Sequence, residues 1–572
     1  KWATRFAVGT YYPEEKHPIS KVLFRLYEPV CRWVLRHRKV TIAAALLLVL
    51  TTIPVYFSLG SEFMPPLREG DLLYMPTTLP GISVTQAQQL MERQDRILKS
   101  FPEVERVFGK AGRMESSTDP APFSMMETVV MLKPEHEWRR QNRWYSRWIP
   151  ESFKAPLRRI WPERISYEEL IEEMDRVLKI PGTTNAWTMP IKNRIDMLST
   201  GVRTPVGIKI FGSDLKGIEQ IGVQLEAILK RVPGTRSVYA ERVTGGYFID
   251  FELKRDQIAR YGLSIADVQT VIMSAIGGEN ITTTVEGRER YPVNIRYGRE
   301  FRDDLDKLKR VLVSTPAGAQ IPLAQVADLK IAQGPAMIRN ENGLLAGYVF
   351  VDISARDIGS YVTEAKRIAS RELKLPTGYA LTWSGQYENM LRVKDRLKVV
   401  VPLTLFIICL LLYMNTKSAV KTGIVLLAVP FSLIGAVWLL WILNYNISIA
   451  VWVGMIALMG LDAETGVFML LFLDLAYREA CEKGKMKTES DLEEAIVHGA
   501  VKRLRPKMMT VMAAFMGLLP IMWSAGSGAD MMKRVAAPMV GGLVTSFALE
   551  LLVYPAVYAV WKWKFELKEG RA

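Results

Sequence analysis

The sequence predicts an α-helical membrane domain of about six transmembrane helices joined to an α+β external domain of split β-α-β, ferredoxin-like subdomains. Three observations predict it. Apolar and charged residues, 49% and 23% of the 572, are segregated along the chain rather than mixed. The apolar runs are long enough to cross a ~30 Å hydrocarbon core. Between the first and second of them lies a long polar stretch in which strand-like and helix-like patterns alternate. A chain of this length also exceeds a single hydrophobic core.

In chain order, residues 1–39 form a leading amphipathic segment that closes on the basic string RHRK, and 40–58 is the first apolar run. Five further runs, at 399–414, 422–443, 447–473, 507–524 and 535–561, make a five-helix bundle over 396–561, followed by a basic tail at 562–572. The net charge of +15 could suggest a nucleic-acid binder. Its Lys and Arg instead flank apolar runs, as in RHRK and in KRLRPK at 502–507. Read by the positive-inside rule, that pattern is topology. It places both ends of the chain in the cytoplasm and residues 60–395 outside the membrane, in the periplasm of a bacterium-like envelope. Cys31, Cys409 and Cys481 all fall outside that segment, so no disulfide framework is expected there. The chain begins KWATRF without an initiator Met, and we read it as a piece of a longer protein or one product of a split or processed gene.

The external segment carries a coarse repeat. LLYMPTTLP, VERVFGKAG and METVVMLKP have strand composition, and the helical pattern SVTQAQQLMERQDRILKSF lies between the first two. We assign 60–164 to a first subdomain. A second begins at 165 with the helical ISYEELIEEMDRVLK, continues through PVGIKIFG and LKGIEQIGVQLEAILKRV to 245, and resumes over 336–395. An insertion occupies 246–335.

Within the fourth apolar run, LMGLDAETGVFML at 458–470 holds two carboxylates. A charge at the centre of a membrane helix costs roughly 2.5–3.5 kcal/mol on insertion scales, so such residues usually meet a polar pathway or a partner. Asp462 and Glu464, two residues apart, point about 200° from each other on a helix and cannot share a face.

The strings EFMPPLREGDLLYMPTTLPG, RIDMLSTGVRTPVGIKIFG, AERVTGG, GLDAETGVFML and RLRPKMMTV together resemble the C-terminal half of heavy-metal efflux pumps of the resistance-nodulation-division (RND) family, above all the copper/silver branch. The likeness runs over essentially the whole chain. It implies an RND transporter half, with 246–335 as its docking-type subdomain and 60–245 as pore-type subdomains. The half that would precede it supplies the remaining spans.

In the copper/silver pumps a periplasmic cleft holds the ion through three Met sulfurs, and the resemblance places Met75, Met125 and Met197 there. Thioethers suit Cu(I) and Ag(I) and are poor ligands for Zn(II), Co(II) or Ni(II). His136 is the one histidine of the external segment, which leaves little for an imidazole-built zinc site. The competing reading of any one methionine is core packing, since Met fills gaps and the chain has 26. Met126 would substitute for Met125 only if the strand were out of register. The resemblance also places Asp119, Glu127, Arg194 and Arg203 around the cleft floor, where acidic groups would concentrate cations or simply form a solvated rim. In the membrane it implies a proton relay of Glu464 and Lys507 with an Asp from the absent half. Asp462, small and apolar in the resembled pumps, is a departure, read as a structural or tuning residue or an extension of the relay. Met532 matches a position on a proposed membrane metal path, whereas a further Met of that path is here Asn280.

The function implied is secondary active transport rather than enzymatic catalysis: proton-driven export of Cu(I)/Ag(I), from periplasm or cytoplasm, through a tripartite complex. No cofactor is permanently bound; the metal is substrate and the proton-motive force drives it. Expected partners are the N-terminal half, a homotrimer, a periplasmic adaptor and an outer-membrane channel. The expected location is the inner membrane, with no nucleic acid bound. A divalent-metal exporter and a non-transporting binding or assembly subunit are the alternatives.

Overall fold

The computed structural model describes residues 18–567, apart from 66, 113–121, 144, 145, 147–149, 151–162, 336, 355, 487 and 525. In the α+β portion, the first sheet runs in the spatial order Val104–Ala111, Met126–Leu132, Asp71–Tyr74, Trp187–Thr188, all antiparallel. With helices Val84–Lys99 and Tyr167–Val177 between strands, this is a β-α-β-β-α-β unit. Both helices start on side-chain caps. The Ser83 hydroxyl accepts from the Gln86 N–H, and Ser166 with Glu169 forms a reciprocal capping box.

The Tyr167–Val177 helix marks a difference from the sequence reading, which opened the second subdomain at 165. Its Tyr167, Leu170 and Met174 are buried with Leu72, Leu98 and Val130 in the core of the first sheet. The polar stretch before it hid this connection, because sequence distance gives no sign of which sheet an amphipathic helix covers.

A second unit repeats the plan. Strands Val206–Gly212, Thr235–Ala240, Leu344–Ile353 and Ala380–Gly385 alternate with helices Leu215–Leu229 and Ile358–Glu372. Leu344–Ile353 pairs with both Val206–Gly212 and Thr235–Ala240, and Val206–Gly212 pairs with Ala380–Gly385. Ile218, Leu225, Tyr361 and Ala365 fill the space between helices and sheet. The chain leaves this unit through Gly246–Leu253 and returns through Ala327–Gly334, which pair antiparallel along their whole length. The segment between them closes over its own core of Ile258, Val268, Val313 and Leu323 and projects a solvent-exposed hairpin, Glu279–Glu286 with Glu289–Ile295.

Five helical stretches among the described residues are long and apolar enough to cross a membrane: Arg38–Ser58, Gln386–Thr416, Ala419–Ile442, Ile449–Glu482 and Ala529–Glu566. The 507–524 run is different. It is the second half of a 34-residue helix, Glu489–Met522, whose first half is polar. The helix starts at Thr488, whose hydroxyl accepts from the Asp491 N–H while the Asp491 carboxylate accepts from the Thr488 N–H at 2.7 Å. Pro18–Arg36 lies against the bundle, with the Tyr27 hydroxyl donating to the Leu551 carbonyl at 2.7 Å. Arg38 then ties the first apolar helix to Glu489 and Glu493 at 2.8 and 2.5 Å.

Glycines set the closest helix contacts, as expected where lipid gives apolar side chains no reason to prefer one another. A Cβ at Gly435 would lie 2.0 Å from the Gly541 carbonyl oxygen, and one at Gly541 would lie 2.3 Å from that of Gly435. At this contact the Thr545 hydroxyl accepts from the Gly435 N–H and donates to the Phe431 carbonyl. Gly435→Ala is therefore expected to destabilise the bundle by about 1–3 kcal/mol. Gly460→Ala, with nothing within 4 Å of the added carbon, should be neutral. Thermal unfolding of the two variants in detergent compares them directly.

Candidate metal site and membrane carboxylates

Three separate segments bring the candidate thioethers together. Met75 follows strand Asp71–Tyr74 and is held by its N–H donating to the Ala186 carbonyl at 2.9 Å. Met125 precedes strand Met126–Leu132 and bridges to Thr77. Met197 lies on helix Pro190–Thr200, which starts on Pro190 with the Glu69 carboxylate accepting the N–H groups of Ile191 and Lys192. That helix ends where Gly201, at φ +76°, donates its N–H to the Met197 carbonyl. Met75, fully buried, packs with Leu73 and Ala186, and Met125 and Met197 pack against them, partly buried. The Asn193 amide donates to the Met197 sulfur at 3.3 Å and orients it from one helical turn away.

Strand alternation separates the two adjacent methionines. Met126 shares the core-facing side with Thr128 and Val130, all fully buried, whereas Met125 lies on the side of Glu127 and Val129. Glu127 is thus on the candidate site's side, in an ion pair with Lys110 at 3.1 Å.

Arg203 is buried beside Met125 in a cavity also lined by Thr77, Ser124 and Met337. It donates to the Thr77 hydroxyl at 2.5 Å and stacks 4.3 Å over the Phe350 ring. Burial pulls its guanidinium down to about 10, against the opposing pull of the Glu241 carboxylate, so it remains a cation at neutral pH. The same cavity is lined by Arg242 and Arg339, and its one carboxylate, Glu241, is paired with Arg339 at 2.9 Å, so its wall carries net positive charge. Arg194 is exposed on its helix, and Asp119 lies outside the described residues. Met337 was missed by the sequence reading, because no motif singles it out. Met532 is exposed in the first turn of Ala529–Trp561, apart from the methionine cluster. His136 is exposed, next to Glu137. Among the described residues, no group of three or more His, Cys, Asp or Glu side chains is placed to hold a metal ion.

The two carboxylates of LDAET take different directions, as the angular separation of the sequence reading expects. Glu464 is exposed on the flank of Ile449–Glu482, and within this chain it is not brought to Lys507. Asp462 points inward, 1% exposed, as the angular separation requires. The counter-ion of Lys507 is Glu550, on Ala529–Trp561, with Nζ to Oε2 at 2.5 Å and both side chains almost fully buried. The other Glu550 oxygen accepts from the hydroxyls of Ser546 at 2.7 Å and Thr465 at 3.1 Å. Glu550 had the same signal as Asp462, a carboxylate inside an apolar run, and was legible on that ground alone.

Residues 12–562 match the AcrB/AcrD/AcrF family. The chain belongs to that family. Its relatives there are heavy-metal efflux pumps of the RND type. It is 41% identical over 552 residues to the cation efflux system protein CusA of Escherichia coli (strain K12), covering 96% of this chain and 50% of CusA. It is equally 41% identical over 552 residues to the putative cation efflux system protein SilA of Salmonella typhimurium, again covering 96% of this chain and 50% of the relative. A crystal structure of a heavy metal efflux pump superposes with a TM-score of 0.80 at 27% identity, over 96% of this chain and 53% of that one. The chain thus spans about half the length of the relatives it matches.

Proposed function

We propose that this chain is half of a proton-driven RND exporter of Cu(I) or Ag(I). The observation that carries the reading is the convergence of Met75, Met125 and Met197 into one cluster, from three segments far apart in sequence. Thioether donors favour soft monovalent ions over Zn(II), Co(II) or Ni(II), and the chain is less similar to the cobalt-zinc-cadmium resistance protein CzcA, at 32% identity, than to the cation efflux proteins CusA and SilA, at 41%. In this reading the α+β portion, residues 60–395, is periplasmic and the insertion 246–335 is the docking surface for an adaptor and outer-membrane channel. The pump works as a trimer in the inner membrane, with Glu489–Met522 as a sixth span. Glu127, Arg194 and Arg203 line the approach to the thioethers, the assignment of Asp119 rests on the family resemblance alone, and Met532 belongs to a path from the membrane.

Coupling is assigned to Glu464 and Lys507. Glu464, exposed on its helix flank, meets the other half of the pump, whose carboxylate completes the relay. Proton gain and loss there would alter helix packing and open or close the cleft. Glu464→Gln is expected to abolish Ag(I) transport driven by a pH gradient in proteoliposomes holding both halves, while Ag(I) binding is kept. Transport at the unchanged rate would remove Glu464 from the coupling, and Zn(II) transport in place of Ag(I) would overturn the substrate assignment.

A further inference from the structure

Among the described residues, the buried group around Lys507 holds two carboxylates, Asp462 and Glu550, and Lys507 pairs with one of them. Lys507 and Glu550 form an ion pair, and every oxygen of Glu550 has a donor: Lys507 on one side, Thr465 and Ser546 on the other. Asp462 has none. Among the described residues neither of its oxygens has a hydrogen-bond partner, and it is 1% exposed. The Ser432 and Ser546 hydroxyls lie close enough to hydrogen-bond Asp462, but in this geometry Ser432 donates to the Val429 carbonyl at 2.9 Å and Ser546 to Glu550 at 2.7 Å, so either must turn away from that partner to serve Asp462.

An ionised carboxylate without donors in a dry interior is far more costly than a protonated one. A second carboxylate nearby adds to the cost. The charged and titratable groups that face Asp462 come from two neighbouring helices. Glu489–Met522 supplies Lys507, with Arg503 one turn before it, and Ala529–Trp561 supplies Glu550 and Tyr554. Ala428–Ile442 contributes the Ser432 hydroxyl.

We propose that Asp462, Glu550 and Lys507 form a proton-binding site built wholly within this chain, in which one proton resides on whichever carboxylate Lys507 does not pair with. In the arrangement seen, the proton is on Asp462. When the Lys507 ammonium turns from Glu550 to Asp462, the Asp462 O–H bond breaks and an O–H bond forms on Glu550. The proton count is unchanged, and no co-reactant is needed. The Ser546 hydroxyl, hydrogen-bonded to Glu550 and beside Asp462, is placed to relay it. The site is distinct from Glu464, which points the other way, and it ties the position of one proton to the position of one lysine.

The test is infrared spectroscopy of the full chain in lipid nanodiscs at neutral pH, carrying Glu464→Gln so that this exposed carboxyl does not contribute. Neither metal nor a pH gradient is used, so failure here leaves the transport reading standing. The expected result is a carbonyl band of a buried, protonated carboxyl with slow hydrogen–deuterium exchange. Asp462→Asn removes the proton carrier and should abolish the band. Glu550→Gln should abolish it as well, because Lys507 then pairs with Asp462 and ionises it; loss in both variants is not expected of an inert buried acid. Asp462→Glu should restore it. A band absent from the parent, a band kept in both variants, or one that falls on adding Na⁺ would overturn the proposal.

Discussion

Replacing Met75 with Ile is expected to lower the Ag(I) affinity of the chain by at least the roughly 10–100-fold that the loss of a ligand's supporting contacts costs. The same should hold for Met125→Ile and Met197→Ile. The substitution keeps much of the volume and apolarity, so the packing of Leu73, Ala186 and Val129 around the site survives, at a cost below about 1.5 kcal/mol. What it removes is the sulfur lone pair. Met126→Ile is the internal control, since Met126 is fully buried on the core-facing side of its strand and its thioether is not among the clustered ones. Calorimetric titration against a competing thioether reads all four variants. Unchanged titration for Met75, Met125 and Met197 variants together would sink the site.

Lys507→Met is expected to lower the stability of the helical bundle by about 3–5 kcal/mol, the usual effect of leaving a buried charge without its partner. Glu550 would keep its two hydroxyl donors but lose its counter-ion, with Asp462 beside it already lacking any donor. Lys507→Met combined with Glu550→Leu should recover most of the loss, because removing both charges relieves the desolvation that either one alone imposes. Thermal unfolding in detergent measures this. A single variant that unfolds with the parent would show that the pair is not formed in the folded bundle.

The membrane cluster also shows where sequence reading reached its limit. The apolar run flagged Asp462 and Glu464, and helical geometry separated their faces, but which face turns inward depends on neighbours that periodicity does not identify. In an all-round apolar helix such as Ile449–Glu482, no amphipathic stripe announces the buried side. Glu489–Met522 was half visible for a related reason. A hydropathy window sees the apolar end near the carboxyl terminus, while the start is signalled only by the capping sequence Thr488–Asp491. In the α+β portion strands such as Val104–Ala111, Met126–Leu132 and Val206–Gly212 and helices Val84–Lys99 and Leu215–Leu229 could be read from alternation and period, whereas strands Trp187–Thr188, Thr235–Ala240 and Ala380–Gly385 were not read. The assignment of Tyr167–Val177 to the first sheet could not be read either, because it rests on long-range packing with Leu72 and Leu98. The methionines were legible by their motif positions, and the support from Asn193 was not, since an amide donating to a thioether has no sequence signature.

The central claim is that the methionine cluster is the soft-metal site. X-ray absorption at the silver edge, on the full chain loaded with one equivalent of Ag(I), tests it most directly. The expected result is a first shell of sulfur alone, reduced in each of the Met75, Met125 and Met197 variants. A shell of nitrogen or oxygen, or a sulfur shell unaltered in all three variants, would contradict it.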